Sequence, residues 1–195
     1  MAKKDLQLLH NEIQVGVSFT SFMTVVTMFF TGLLITQFEQ FTATVRVPIL
    51  FLIISTFGFL YSTLIYANAS GAINRITTKR FDRQMEIGNI LSEYLGVYFL
   101  ILSIPLVINL VATDWFLKLS TLLVSLGGLA IYHISGFSIM DRHYKKYHKL
   151  LLSIILILEC LLFYSQTHLT YLFNYIAVMQ ILLLLLISYF ATKKL

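Results

Sequence analysis

Glu159 stands inside the aliphatic run IILILECLLFY, residues 154–164, with five aliphatic residues before it and Cys160, Leu161, Leu162 and Phe163 after it. A charged side chain at the centre of a membrane helix costs about 2.5–3.5 kcal/mol on insertion scales. Glu is too short to reach the interface from there, so the acid needs a proton, a donor on another helix, or water. Gln180 lies on the next apolar stretch, which returns antiparallel, and reaches nearly the same depth; Asn174 lies closer to the far end. Two chemistries fit. One is a structural Glu159–Gln180 hydrogen bond. The other is a site that takes up and releases a proton or small cation, the common use of intramembrane carboxylates.

Two further polar patterns have helical spacing. Thr20, Thr24, Thr27 and Thr31 recur at i, i+4, i+7 and i+11, which is one helix face. Small hydroxylated residues favour close helix packing, and that is the favoured reading. A polar lining, with Thr24 and Thr27 at the depth of Glu159, is the alternative. Asp82, Glu86, Asn89 and Glu93 repeat the same spacing in FDRQMEIGNILSEYLGVY, and Gly96 continues the face. The plain reading is a solvated helix extension whose acids pair with neighbouring bases. The sharper one is an acidic mouth, with Glu86 and Glu93 collecting cations. Carboxylate spacing alone does not specify a divalent metal.

The segment DRHYKKYHK, residues 141–149, joins Arg142, Lys145, Lys146 and Lys149 to aromatic rings; Lys79, Arg80 and Arg83 form a second basic group with Arg75. Basic-aromatic stretches beside a span suit anionic lipid headgroups or a cytoplasmic partner protein. The histidines His10, His133, His143 and His148 show no paired ligand spacing on facing mid-membrane positions, so neither haem nor metal is expected. Cys160 is the single cysteine, which excludes an internal disulfide. No phosphate loop, GxSxG, HExxH or voltage-sensor Arg ladder is present. Gly127-Gly128, with Ser125, suggests tight helix packing.

These residues must be positioned by helices in lipid. The 195-residue chain is 58% apolar and only 12% charged, against about 25% charged in soluble domains. Apolar stretches at about 15–36, 47–68, 90–112, 115–137, 149–166 and 170–191 approach or exceed the roughly 18 residues that cross a bilayer. They lack the period-two alternation of barrel strands and must be helices. The expected fold is all-α: a polytopic integral membrane protein of six transmembrane helices, arranged as three hairpins in one domain. No cleavage site follows the first apolar run, so it is expected to be a span rather than a signal peptide.

Charge supports this count. Of the fourteen basic residues, all but Arg46 and Lys118 fall on one side if six spans are threaded. The positive-inside rule places that side, with both termini, in the cytoplasm, so the expected location is the cytoplasmic (plasma) membrane. The net charge of +5 therefore needs no nucleic-acid partner. Trp115, Tyr164 and Tyr171 are expected at the outer interface, and Tyr66, Tyr94, Tyr132 and Tyr189 at the inner one.

The expectation is a small channel or transporter for a proton or small cation, working as a homo-oligomer. Glu159 and Gln180 would form its site, Thr24 and Thr27 its path, and Glu93 and Glu86 its inner mouth. A non-catalytic anchor or sensor, whose basic loops bind a partner or anionic lipid, is the alternative. A lipid-modifying enzyme using Asp82, Glu86, Glu93, Asp141, His143 and His148 comes last, because no spacing among them specifies a mechanism.

Overall fold

The computed structural model describes residues 3–37, 39, 43–72, 78–136 and 138–195; Arg75 lies outside them. The described regular structure is entirely helical: α1 (Lys3–Thr36), α2 (Arg46–Ala72), α3 (Thr78–Ile90), a π-helical segment (Leu91–Val97), α4 (Tyr98–Val111), α5 (Trp115–Ile134), α6 (Ile139–His143), α7 (His148–His168) and α8 (Thr170–Lys193), with a short 3-10 turn at Ala43–Val45 before α2. Six stretches are long and apolar enough to cross a membrane: Leu9–Thr36, Ala43–Gly71, Lys79–Val111, Trp115–Ile134, His148–His168 and Thr170–Lys193.

Several ends differ from the expected boundaries. The first and third helices begin earlier, because a helix satisfies its own backbone and need not stop where apolar residues stop. The fourth ends sooner, at Ile134, because Gly136 adopts a left-handed conformation (φ 75°) just after it. Asp114 starts α5, its carboxylate accepting from Leu117 N at 2.9 Å.

α1 packs mainly on α2, while α2 also meets α3, the π segment and α4. α4 packs on α5, and α7 on α8. The tightest crossing lies between α2 and the π segment. A Cβ on Gly58 would fall 2.6 Å from the backbone of Leu95 and Gly96, so only glycine fits there. Ser55 Oγ donates to Gly96 O, and Ser62 Oγ donates to Gly88 O, both at 2.8 Å. These bonds fix the element that carries Glu93. Nearer the other end, Asn109 Nδ2 donates to Gln166 Oε1 at 2.8 Å and Gln166 Nε2 to Leu106 O at 3.1 Å, joining α4 to α7.

Two packing expectations are corrected. Gly127 and Gly128 meet nothing within 4 Å of a would-be Cβ, so they do not mediate close packing within the described chain. Tyr66 and Tyr94 are core side chains rather than interfacial rings, at 3% and 0% exposure. Trp115, Tyr164, Tyr171 and Tyr189 are exposed, as an interfacial ring would be.

Candidate functional site

The acidic stripe becomes progressively more buried along its helix. Asp82 is exposed, Glu86 and Asn89 are half-buried, and Glu93 is buried. Each of the last three meets a partner from another part of the chain. His143 Nε2 donates to Glu86 Oε1 at 2.9 Å, and Arg142 lies 3.7 Å from the other Glu86 oxygen. Tyr66 Oη donates to Asn89 Oδ1 at 2.6 Å. Glu93 accepts from Tyr132 Oη at 2.9 Å, from Ser138 Oγ at 2.7 Å, and from Ile139 N at 2.8 and 3.0 Å.

The local sequence explains the geometry around Glu93. Gly136 turns the chain out of α5, and Ser138 caps α6, its hydroxyl accepting from Met140 N at 3.3 Å. That brings the Ser138 hydroxyl and the Ile139 N–H against the π segment. A π turn inside an α-helix widens the backbone and re-aims its side chains, often at functional sites. Here it carries Glu93 to the donors of residues 138–139. With three donors, one of them shared between its two oxygens, this carboxylate ties Tyr132, Ser138 and Ile139 to the π segment.

Glu159 has none of this support. It is fully buried (0% exposed), and neither oxygen meets a hydrogen-bond donor among the described residues. Gln180, also fully buried, sends Nε2 to Ile155 O at 3.5 Å, while its Oε1 accepts nothing among the described residues. Ile155 lies one turn before Glu159 on α7, so the two polar side chains share a level of the bundle. The direct Glu159–Gln180 hydrogen bond expected from the sequence is not made. Gln180 bonds to the backbone instead.

The threonine face turns to α2 rather than to Glu159. Thr27 Oγ1 lies 2.9 Å from Thr56 Oγ1, and Thr63 Oγ1 donates to Thr20 Oγ1 at 2.7 Å. Thr24 is half-buried and donates to its own backbone at Thr20 O. This is the packing arrangement; Thr24 and Thr27 make no contact of this kind with α7.

The basic candidates gather unevenly. Lys145, Lys146 and Lys149 are exposed, with Lys146 Nζ 5.5 Å from the centre of the Tyr147 ring. Arg80 is exposed on α3. Lys79, Arg83 and Arg142 line one charged cavity of ≈ 370 Å³ together with Asp82 and Glu86. Lys194 Nζ donates to His143 O at 2.7 Å and sits 4.1 Å from the centre of the Tyr144 ring. Burial pushes the Tyr144 phenol above its ordinary range, and that hydroxyl donates to Ile187 O at 2.7 Å.

Sequence reasoning missed several partners. Tyr132, Ser138 and Ile139 were not assigned to Glu93. The S-x-x-D pattern of Ser138–Asp141 after a glycine was the available signal of a helix start. His133 and His148 come together, with ring centres 5.1 Å apart and planes tilted by 34°, and His148 Nδ1 lies 3.4 Å from Asp141. Among the described residues, no three His, Cys, Asp or Glu side chains are grouped so as to hold a metal ion.

Compared with protein-family models, curated proteins and solved structures, the chain finds no match.

Proposed function

We propose that the protein spans the cytoplasmic membrane six times as three hairpins, with both termini inside, and moves a proton or small cation through the exchange of a proton or ion at Glu159. The observation that carries this reading is a fully buried carboxyl with no donor on either oxygen among the described residues. A carboxyl kept for architecture gains stability only when its oxygens are bonded, since an unmet buried polar group costs about 1–3 kcal/mol. Glu159 carries that cost, and a group that must bind and release a proton or ion is the kind that tolerates it. Gln180 shares the level of Glu159, its carbonyl oxygen without a partner among the described residues, and so offers a second acceptor to whatever Glu159 binds.

The rest of the expected path contributes less. Glu93 is committed to Tyr132, Ser138 and Ile139, and Thr27 to α2. Glu86, half-buried beside the charged cavity, remains the carboxylate best placed to meet ions arriving at the basic end.

The test is flux. Purified protein is reconstituted in liposomes, and proton and monovalent-cation movement is recorded for the wild type and Glu159→Gln. The expected result is flux in the wild type that is lost in a variant of unchanged elution profile. Equal flux in both, or none in either, sinks the reading and leaves Glu159 as a structural group.

A further inference from the structure

Two cavities meet at one arginine. The first, ≈ 420 Å³, has an apolar part, Val15 and Phe19 of α1, Val97 of the π segment and Ile139 of α6, and a polar part that includes Asn89, Ser92, Glu93 and Tyr132. It lies between α1, which packs mainly on α2, and α5, which packs mainly on α4. The second is the ≈ 370 Å³ cup that holds Lys79, Arg83, Asp82 and Glu86. Arg142 lines both. Its side chain is 59% exposed, and its only salt bridge among the described residues is the loose 3.7 Å contact with Glu86.

The chemistry of this double cavity is that of an amphiphile with a negative head. Lys79 and Arg83 stand about one turn apart on α3, both exposed, and neither forms a salt bridge among the described residues. Together with Arg142 they give three cations. Of the two acids facing them, Glu86 is already engaged by His143. Glu93 lines the first cavity and not the cup, and its oxygens face the donors Tyr132, Ser138 and Ile139 N. The cup thus sets three cations against the two carboxylates Asp82 and Glu86, an excess of one positive charge, while the adjoining cavity adds the apolar side chains of Val15, Phe19, Val97 and Ile139. Each volume falls within the about 300–1,000 Å³ of small-molecule sites.

We infer that the two cavities form one binding site for an anionic phospholipid from the leaflet at the basic end. Arg142, Arg83 and Lys79 hold its phosphate, and one acyl chain lies between Phe19 and Val97. The inference needs the membrane placement but not the transport reading, so E159Q leaves it untouched.

The test is lipid retention. The detergent-purified protein is exchanged into mixed vesicles of equal phosphatidylglycerol and phosphatidylcholine, re-extracted, and its bound lipid identified by native mass spectrometry. The expected result is preferential retention of phosphatidylglycerol. Arg142→Ala should lower that retention about fivefold, since a basic residue at the surface adds about 1 kcal/mol to anionic-lipid attraction. The exposed pair Lys79→Ala/Arg83→Ala should lower it further and serves as the second variant if Arg142→Ala fails to fold. Val97→Trp, which fills the apolar cavity, should lower retention with all cations intact. Lys118→Ala, on another helix far from the cup in sequence, should not. Equal retention of the two lipids by the wild type overturns the inference. So does retention unchanged in the charge variants, or unchanged in Val97→Trp. Displacement of the lipid by glycerol phosphate at equal concentration also overturns it, by making the site one for soluble phosphate.

Discussion

Glu93 and Glu159 are both carboxylates buried in the bundle, at 3% and 0% exposure, yet their surroundings are opposite. Glu93 accepts from three donors, Tyr132 of α5, the Ser138 cap and the Ile139 N–H in the first turn of α6. Glu159 accepts none from the described residues. Burial alone therefore does not distinguish a structural acid from a candidate exchange site; the count of donors does. A buried carboxylate with its donors in place is fixed in position, whereas an unsatisfied one costs stability. The Glu93 region is built to hold a connection still. The Glu159 region supplies its carboxyl with no donor among the described residues.

The largest expected effect comes from removing the satisfied acid. Glu93→Ala leaves the Tyr132 and Ser138 hydroxyls and the Ile139 N–H without their acceptor, and should destabilise the protein by about 3 kcal/mol. Thermal unfolding in detergent reads this directly, and a variant as stable as wild type would erase the contrast between the two acids. Next is Gly58→Ala. Its new methyl would press on the backbone of Leu95 and Gly96 and displace the segment that carries Glu93, at about 1–3 kcal/mol. Gly128→Ala, inside α5 where nothing lies within 4 Å, is the control and should hold stability or raise it by about 0.5–1 kcal/mol. The smallest effect sharpens the comparison from the other side. Glu159→Leu removes a buried group with no hydrogen-bond partner among the described residues, so stability should hold or rise by about 1 kcal/mol. A loss as large as that of Glu93→Ala would mean that Glu159 has a partner after all.

The sequence made much of the fold legible. Six apolar stretches appear where six were expected, because hydropathy is a property of each segment by itself. The close approach at Gly96 was also readable, since a glycine on a polar helix face signals a neighbour. Gly127-Gly128 carried the same signal and packs against nothing in the described chain. A glycine reports that a neighbour is permitted, not that one is present. Tyr66 and Tyr94 illustrate the same limit. Their depth in the chain suited an interfacial ring, but the turn of the helix directs them inward, to the glycines of α1 and α3 for Tyr66 and to Tyr98 for Tyr94.

The candidate site was half legible. The identity of every acid in it was plain, and helical spacing placed Glu86, Asn89 and Glu93 on one stripe. Their partners were hidden, because Ser138 lies 45 residues from Glu93 and His143 lies 57 from Glu86. The threonine face shows the opposite case. Its preferred reading as a packing surface needed only the small hydroxyl side chains, and Thr56 and Thr63 of α2 are the groups it meets.

By itself the sequence determined that the chain forms helices long and apolar enough for a bilayer, that its charge is segregated, and that two acids lie within apolar helices. Local composition and period suffice for these, because backbone hydrogen bonds in lipid must close within each segment. Only the tertiary structure decided which acid is bonded and which is not, and that Arg142 joins an apolar cavity to a charged cup. Those outcomes depend on contacts between distant segments, where a hydrogen bond of a few ångströms is made or missed by how helices cross.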